Sequence, residues 1–534
     1  MSFFDVQAKC PLPPEIVYRT LAYLDWRAIV QSTQVCRLWR QIVLGSIQLQ
    51  YAIELGADGL EDGPPSHLSA QERLELLLDR RRRWRALDWA AKVSVPIAGE
   101  CLAYELVAGV FAKAMSMKRT SWLGSEHLAL VHLPTRQTAG EVVIREDIGL
   151  FCKDFAIDPT QDLIAFILQP SAASSRTVSV HLKTISTHKQ HPIPRHPVLT
   201  RDLETPFDGA IVQICKDVLA VFLMVQGSPR VLIWHWIEGV LLVAKTGPEP
   251  FHFADDFSLL SNTIFMVTSR SAPTGALQIY TFRESEKATL ERWHWASNQK
   301  RTLFLLPELE KEFRYSLITT HTAPFVANVP ANKPFYTSED ARVHIMSVSI
   351  EPARRNGLTR NYTIALPNRV LLRYVELAKA NSDIQDQTLP WEIWGPANTR
   401  WMEETHTYAW LRYIHGPRFV KALHGRWPST GCRLQIFDFG VHPKRPGDDD
   451  SAFEGRNAAE PDFPCEHRYC STTSVLHGSS VFKKPVKSSL PYREVITKAA
   501  LPYSGFMIDD ERIIGLQSLA FSDGDMRNVD VYVF

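Results

Sequence analysis

From residue 91 onward the chain repeats one unit: two short apolar strands joined by a turn. Asp162 leads into LIAFILQ, Thr177 into VSVHLKTI, Asp217 into VLAVFLMV and Arg230 into VLIWHWIEG. Runs of this length, rich in β-branched and aromatic residues and bounded by turn formers, are strand signals. Residues 216–242 and 258–282 carry the same theme, and the stretch from Phe506 to Phe534 reads as another copy. A sheet of two to four such strands cannot bury both faces alone, so copies must stack. Weak repetition of this texture predicts a β-propeller. Residues 91–534 leave room for six to eight blades at about 40–50 residues each, and seven is the expected number. Val529 to Phe534 would supply a strand to a blade shared with the far end of the domain. A pair of β-sandwiches or a mixed β-domain is the competing reading.

The first fifty residues differ in kind. Pro13 and Pro14 suit the first turn of a helix, where a missing N–H leaves nothing unpaired. Glu15 adds a negative charge near that helix's positive end. Ile16, Thr20, Leu21 and Leu24 recur at helical spacing. Asp25 can cap a second turn from Trp26 to Gln31. Val35, Leu38, Trp39, Ile42 and Val43 form the stripe of a third helix. Helices this short bury little core and are expected to pack on the next segment or on a partner. GADGLEDGPPSHLSA, residues 56–70, marks a loop. Ser69 then opens a helix with Leu74, Leu77, Leu78 and Trp84 on one face and Asp79 set to pair with Arg83. The expected class is an α+β multidomain chain: a three-helix unit over 1–55, a loop and linker helix over 56–90, and a large all-β domain over 91–534.

Residues 12–43, LPPEIVYRTLAYLDWRAIVQSTQVCRLWRQIV, resemble an F-box. The family pattern runs Leu-Pro-x-Glu-Ile/Leu, a Leu-rich first helix, then Val-Cys-Arg-x-Trp. Ile29 stands where leucine is common, and Gln48-Leu49-Gln50-Tyr51 replaces the usual Leu-Trp ending. The resemblance implies docking onto the Skp-type adaptor of a Skp–cullin–F-box ubiquitin ligase, with the rest of the chain holding a protein substrate. By position it implies that Leu12, Pro13, Pro14, Ile16, Leu21, Leu24, Val35, Cys36 and Trp39 face the adaptor or support the face that does. The plainer alternative is that these residues are the core of a helical cap. IELGADG, Glu72-Arg73-Leu74, DFAIDPTQDLIAFI from Asp154 and VLAV after Asp217 also resemble fungal, especially basidiomycete, F-box proteins over residues 1–285.

Fifty-nine basic and 58 acidic side chains nearly cancel, which gives no general argument for nucleic acid or an anionic membrane. Arg80 to Arg83 with Arg85 read as a solvated helix face, since no basic patch follows in sequence. The apolar run from Val218 to Val225 is too short to span a bilayer, and MSFFDVQAKCPLPP lacks the pattern of a secretory signal. Eight scattered cysteines, at 10, 36, 101, 152, 215, 432, 465 and 470, predict free thiols in a reducing compartment, cytoplasmic and/or nuclear. The sequon at Asn361 carries no weight without a secretory route.

No nucleophile elbow, zincin, Walker or dinucleotide motif is present. Cys465, His467 and Cys470, with His477 nearby, form a metal-like grouping without a second cysteine pair. Surface-loop residues are the expected reading, with no metal and no cofactor. Asp158, Asp162, Asp217, Asp255 and Asp256 stand at strand starts and are expected to close turns through backbone N–H groups. Trp234, Trp236, Trp293 and Trp295 are expected in blade cores. Residues 380–400 and 443–464 read as insertions, the second as a mobile loop. The leading expectation is a non-catalytic substrate receptor. The alternatives are an F-box scaffold without ubiquitin transfer and a propeller enzyme or lectin with a helical cap.

Overall fold

The computed structural model describes residues 12–116, 125–145, 147–168, 176–225, 229–245, 254–270, 274–283, 301–329, 333–354, 358–380, 386–404, 411–424, 431–441, 464–476, 481–517 and 526–534. Trp293, Trp295, Cys10, His477 and residues 443–463 lie outside them.

Seven large sheets succeed one another among the described residues, and together they make a seven-bladed β-propeller. Blade one spans Glu100–Arg145, blade two Cys152–Asp202 and blade three Gly209–Lys245, each with four antiparallel strands in chain order. Blade four spans Ala254–Leu305 and gains a fifth, parallel strand, Asp386–Leu389. Blade five is built from Phe313–His321, Val343–Pro352, Arg360–Pro367 and Arg400–Glu404. Blade six contains Ile414–His415, Arg418–His424, Cys432–Asp438 and Tyr492–Thr497, with Cys465–Cys470 on its edge. Blade seven joins both ends of the domain. Ala91–Pro96 pairs antiparallel with Asn528–Val533, placing Val93 opposite Val531, beside Arg512–Leu516 and Gly505–Ile508.

Blade stacking explains the unbroken apolar runs. Strands Leu163–Leu168, Val218–Met224 and Ile264–Ser269 are buried on both faces because each lies between two neighbouring sheets. Leu163, Val180, Val221 and Trp234 meet between blades two and three. Phe222, Phe257, Phe265 and Tyr280 meet between blades three and four, and Val95, Phe111, Ile514 and Val531 between blades seven and one. Trp234 and Trp236 are fully buried in blade core. Four of the five singled-out aspartates bond backbone N–H groups. Asp158 accepts from Thr160 at 3.0 Å, Asp162 from Ser186 at 2.7 Å, Asp255 from Ile318 at 2.9 Å and Asp256 from Thr320 at 2.8 Å. Only Asp158 closes its own turn as expected: Asp162, Asp255 and Asp256 reach backbone 24, 63 and 64 residues further on, and Asp217 takes side chains, Arg283 at 2.7 Å and Asn262 at 2.9 Å.

The N-terminal helices are α1 (Pro14–Leu21), α2 (Trp26–Ser32), α3 (Arg37–Gly45) and α4 (Ile47–Ala57). Asp25 caps α2, accepting from Arg27 and Ala28 at 2.8 and 3.1 Å. The fourth helix corrects the three-helix expectation. Its apolar residues, Ile47, Leu49, Tyr51, Ile53 and Leu55, alternate like a strand. It is buried around most of its girth, so no amphipathic stripe shows. Leu49 and Ile53 join Val17, Leu21, Ile29 and Val43 in the cap's own core.

Helix α5 (Ala70–Ala86) ties cap to propeller. A capping box of Ser69 and Glu72 starts it. Its arginines are not a solvated face. Arg81 pairs with Glu54 and Asp58 at 2.8 and 2.9 Å, Arg80 reaches Asp510 of blade seven at 2.9 Å, and Arg83 takes Asp79 at 2.8 Å as its spacing predicted. Trp84 stacks on Phe534 with ring centroids 4.3 Å apart. Leu60–Asp62 pairs as a strand with Phe335–Thr337, an excursion from blade five. Buried Arg73 clamps that pairing through Asp62 and the Pro334 and Pro64 carbonyls.

Residues 380–400 are partly structural: beyond the added strand they form α7 (Trp391–Asn398), which buries Trp391 and Trp394 against Trp401 and Phe304. Helix α6 (Asn368–Ala380) was missed, although Leu371, Val375 and Ala378 keep helical spacing. Trp394→Ala is expected to cost about 3–5 kcal/mol, read by chemical denaturation, because the side chain is wholly enclosed and its Nε1–H donates to the Leu305 carbonyl at 2.9 Å.

Candidate functional site

The cap leaves an unusual share of its large apolar side chains outside its core. Leu12, Ile16, Tyr23, Leu24, Val35, Leu44 and Ile47 are seven of the nineteen exposed large apolar residues among the described ones, yet they fall within residues 12–47, under a tenth of the chain. Tyr23 is 91% exposed, Leu44 65% and Val35 64%. Exposed apolar groups at this density make the cap a candidate docking surface. Each fully covered side chain would contribute about 1.5–3 kcal/mol.

The sequence-derived site residues divide in three. Leu12, Pro13, Pro14, Ile16, Leu24 and Val35 are exposed. Cys36 and Trp39 are half-buried; the Cys36 sulfur accepts from the Trp39 N–H at 3.5 Å, and Trp39 packs on the cap core. Leu21 is fully buried, so it supports the face from beneath and touches no partner. Tyr23, Leu44 and Ile47 were not singled out. Exposure depends on which way each short helix turns, and an apolar residue in sequence does not reveal that.

The second candidate is the propeller's central channel, a cavity of about 540 Å³ bounded by the inner strands. That volume lies within the range of small-ligand sites. Glu105 of blade one and Arg412, just ahead of blade six, form a buried pair across it, with the Arg412 Nε 2.8 Å from Oε2. Tyr104 accepts from the Leu411 N–H at 2.7 Å. His321 meets the Tyr413 hydroxyl at 3.0 Å, and burial lowers its imidazole to about 4. Asp154 also lines the channel, accepting from the neighbouring Phe155 N–H at 2.8 Å. Burial raises its carboxyl to about 7; nearby Glu105 adds to the rise, and Arg412 and Lys153 oppose it. The unfolded value is about 3.9, so the fold binds the proton more tightly and loses stability as pH rises from about 4 through 7. Asp154→Asn is therefore expected to match the parent only below about pH 4 and to gain on it as pH rises, reaching about 4 kcal/mol at pH 8, checked by denaturant titration at pH 4 and pH 8.

Among the described residues no three His, Cys, Asp or Glu side chains converge as for a metal. Cys465 and Cys470 lie on one edge strand, five positions apart. An odd spacing puts them on opposite faces, about 16 Å apart, so they cannot share an ion. Among the described residues, the cysteines at 36, 101, 152, 215, 432, 465 and 470 form no disulfide. No helix among the described residues is long and apolar enough to cross a membrane.

No protein-family model matches the chain, and no curated protein does. Solved structures similar to it include the WD40 domain of SCAP from fission yeast, at 10% identity and a TM-score of 0.32, covering 76% of this chain and 98% of that one. KlAtg21, in complex with the coiled coil of AgAtg16, is similar at 8% identity and a TM-score of 0.28, covering 62% and 77%.

Proposed function

We propose that this chain is a substrate receptor of a Skp–cullin–F-box ubiquitin ligase. The concentration of exposed apolar side chains on a cap whose own core is already closed carries this reading, together with the F-box resemblance of residues 12–43. In it the cap docks on the Skp-type adaptor, and through it on cullin, while the propeller holds a protein target. The chain catalyses nothing itself. It holds the target near the transfer machinery and so raises the effective concentration of the reacting groups. The ties between α5, blade seven and the Phe335–Thr337 strand suit this role, because they fix the distance between the two ends.

Co-expression of the full chain with a Skp-type adaptor and cullin tests the proposal. Recovery of a stoichiometric complex is the expected result. A folded chain that binds no adaptor would overturn it and leave the channel as the place to seek an activity. Adaptor binding without cullin would favour the scaffold reading.

A further inference from the structure

Where α5 meets blade six, a cleft of about 30 Å³ lies between Trp84 and the strands carrying Arg418 and Arg493. Four guanidinium groups line it, Arg81 and Arg85 from α5 and Arg418 and Arg493 from the blade, against two carboxylates, Asp58 and Asp438. Arg81 and Arg418 pair with the two carboxylates of the cleft: Asp58 takes the Arg81 Nε at 2.9 Å, and Asp438 takes the Arg418 Nε at 2.8 Å. Arg493 stands across the strand pair from Asp438, its guanidinium 5.7 Å from the Tyr469 ring. Arg85 makes no hydrogen bond or ion pair to any described residue, and burial together with Arg493 and Arg81 pushes its pKa down.

Trp84 supplies a second, independent sign. It is 4% exposed, held between Phe534 and the Arg418 guanidinium, which lies 4.7 Å from its ring. Its Nε1–H has no hydrogen-bond partner. A buried donor left unpaired and a half-buried cation without a hydrogen bond or ion pair of its own are both costly. One small anion offsets both costs.

We propose that this cleft binds a small inorganic oxyanion of the phosphate or sulfate class, held by Arg85 and the Trp84 Nε1–H within the field of Arg81, Arg418 and Arg493. A tetrahedral oxyanion offers acceptors on every side, which suits donors arriving from both a helix and a sheet. The cleft is too small for a peptide, and about 30 Å³ open to the centres of its oxygens suits one compact tetrahedral ion. Its occupant bridges α5 to blade six, so binding strengthens the docking of the cap on the propeller. This holds whether or not the cap binds an adaptor.

Thermal unfolding of the full chain tests it, with inorganic phosphate replacing chloride at constant ionic strength. The expected result is a saturable rise in Tm of about 1–2 °C. Arg85→Gln is expected to abolish the rise, and in chloride alone to be at least as stable as the parent because like-charge repulsion is relieved. Trp84→Phe keeps the ring stack and is expected to weaken apparent phosphate affinity about fivefold. An equal rise with chloride, or an undiminished phosphate response in Arg85→Gln, would overturn the proposal. If Arg85→Gln does not fold, unchanged affinity in Trp84→Phe would overturn it.

Discussion

Leu12→Asp combined with Val35→Asp is expected to abolish capture of the Skp-type adaptor, a loss of at least about a hundredfold, with Tm unchanged. Both side chains are exposed in the free chain, Leu12 at 46% and Val35 at 64%, so neither carboxylate is buried by folding. Against a partner the same carboxylates would be driven into an apolar contact and left without a counter-charge, which is where a single substitution does most damage. Pull-down and Tm together decide the matter. Retained binding with an unchanged Tm would remove this face from the docking surface. A fallen Tm would mean that the two residues serve the cap's own packing. Trp39→Ala is a poorer probe, because Trp39 packs on Val17, Leu21 and their neighbours; its removal is expected to lower both binding and cap stability.

Asp510→Ala is expected to lower stability by about 3 kcal/mol and to loosen the cap from the propeller. Asp510 sits on the turn between the inner strands of blade seven. It accepts from Arg80 of α5 at 2.9 Å, from Lys333 at 3.1 Å and from the Thr337 hydroxyl at 2.9 Å. His415 of blade six lies 3.7 Å away. One carboxylate therefore joins the linker helix, the excursion that pairs with Leu60–Asp62, and two blades. Lys333 keeps Glu511 at 3.2 Å, whereas Arg80 loses its only carboxylate among the described residues. Burial opposes ionisation of Asp510, but Lys333 and Arg80 outweigh it and hold the carboxyl well below its usual range. A lowered folded pKa gives stability that is complete above about 3.9 and is lost as pH falls through the folded value. The deficit of Asp510→Ala against the parent should thus be full at pH 7 and shrink toward pH 2–3, as measured by guanidinium denaturation. Limited proteolysis between α5 and Ala91 would report the loosened cap. An unchanged stability at pH 7 would show that the neighbouring pairs alone hold the junction.

Local pattern settles what neighbouring residues decide among themselves. The strand runs, the cap of α2 by Asp25, the Asp79–Arg83 pair and the turn closed by Asp158 were legible because each depends on residues a few positions apart. The repeated two-strand unit also favoured blades over a pair of sandwiches, since such sheets bury both faces by stacking. The sequence by itself thus determined an apolar-seamed helical cap followed by a ring of sheets. Three things escaped it for physical reasons. Helix α4 is buried around most of its surface, so its apolar residues carry no helical stripe. The arginines of α5 read as solvent-facing, but their partners, Glu54, Asp58 and Asp510, come from another helix and from a blade more than 400 residues away. The channel and the arginine cleft depend on closure of the ring, which brings Glu105 beside Arg412 and Arg85 beside Arg493. Charge compensation and exposure are properties of that closed geometry, which alone separates the apolar residues of the cap that are core from those left exposed.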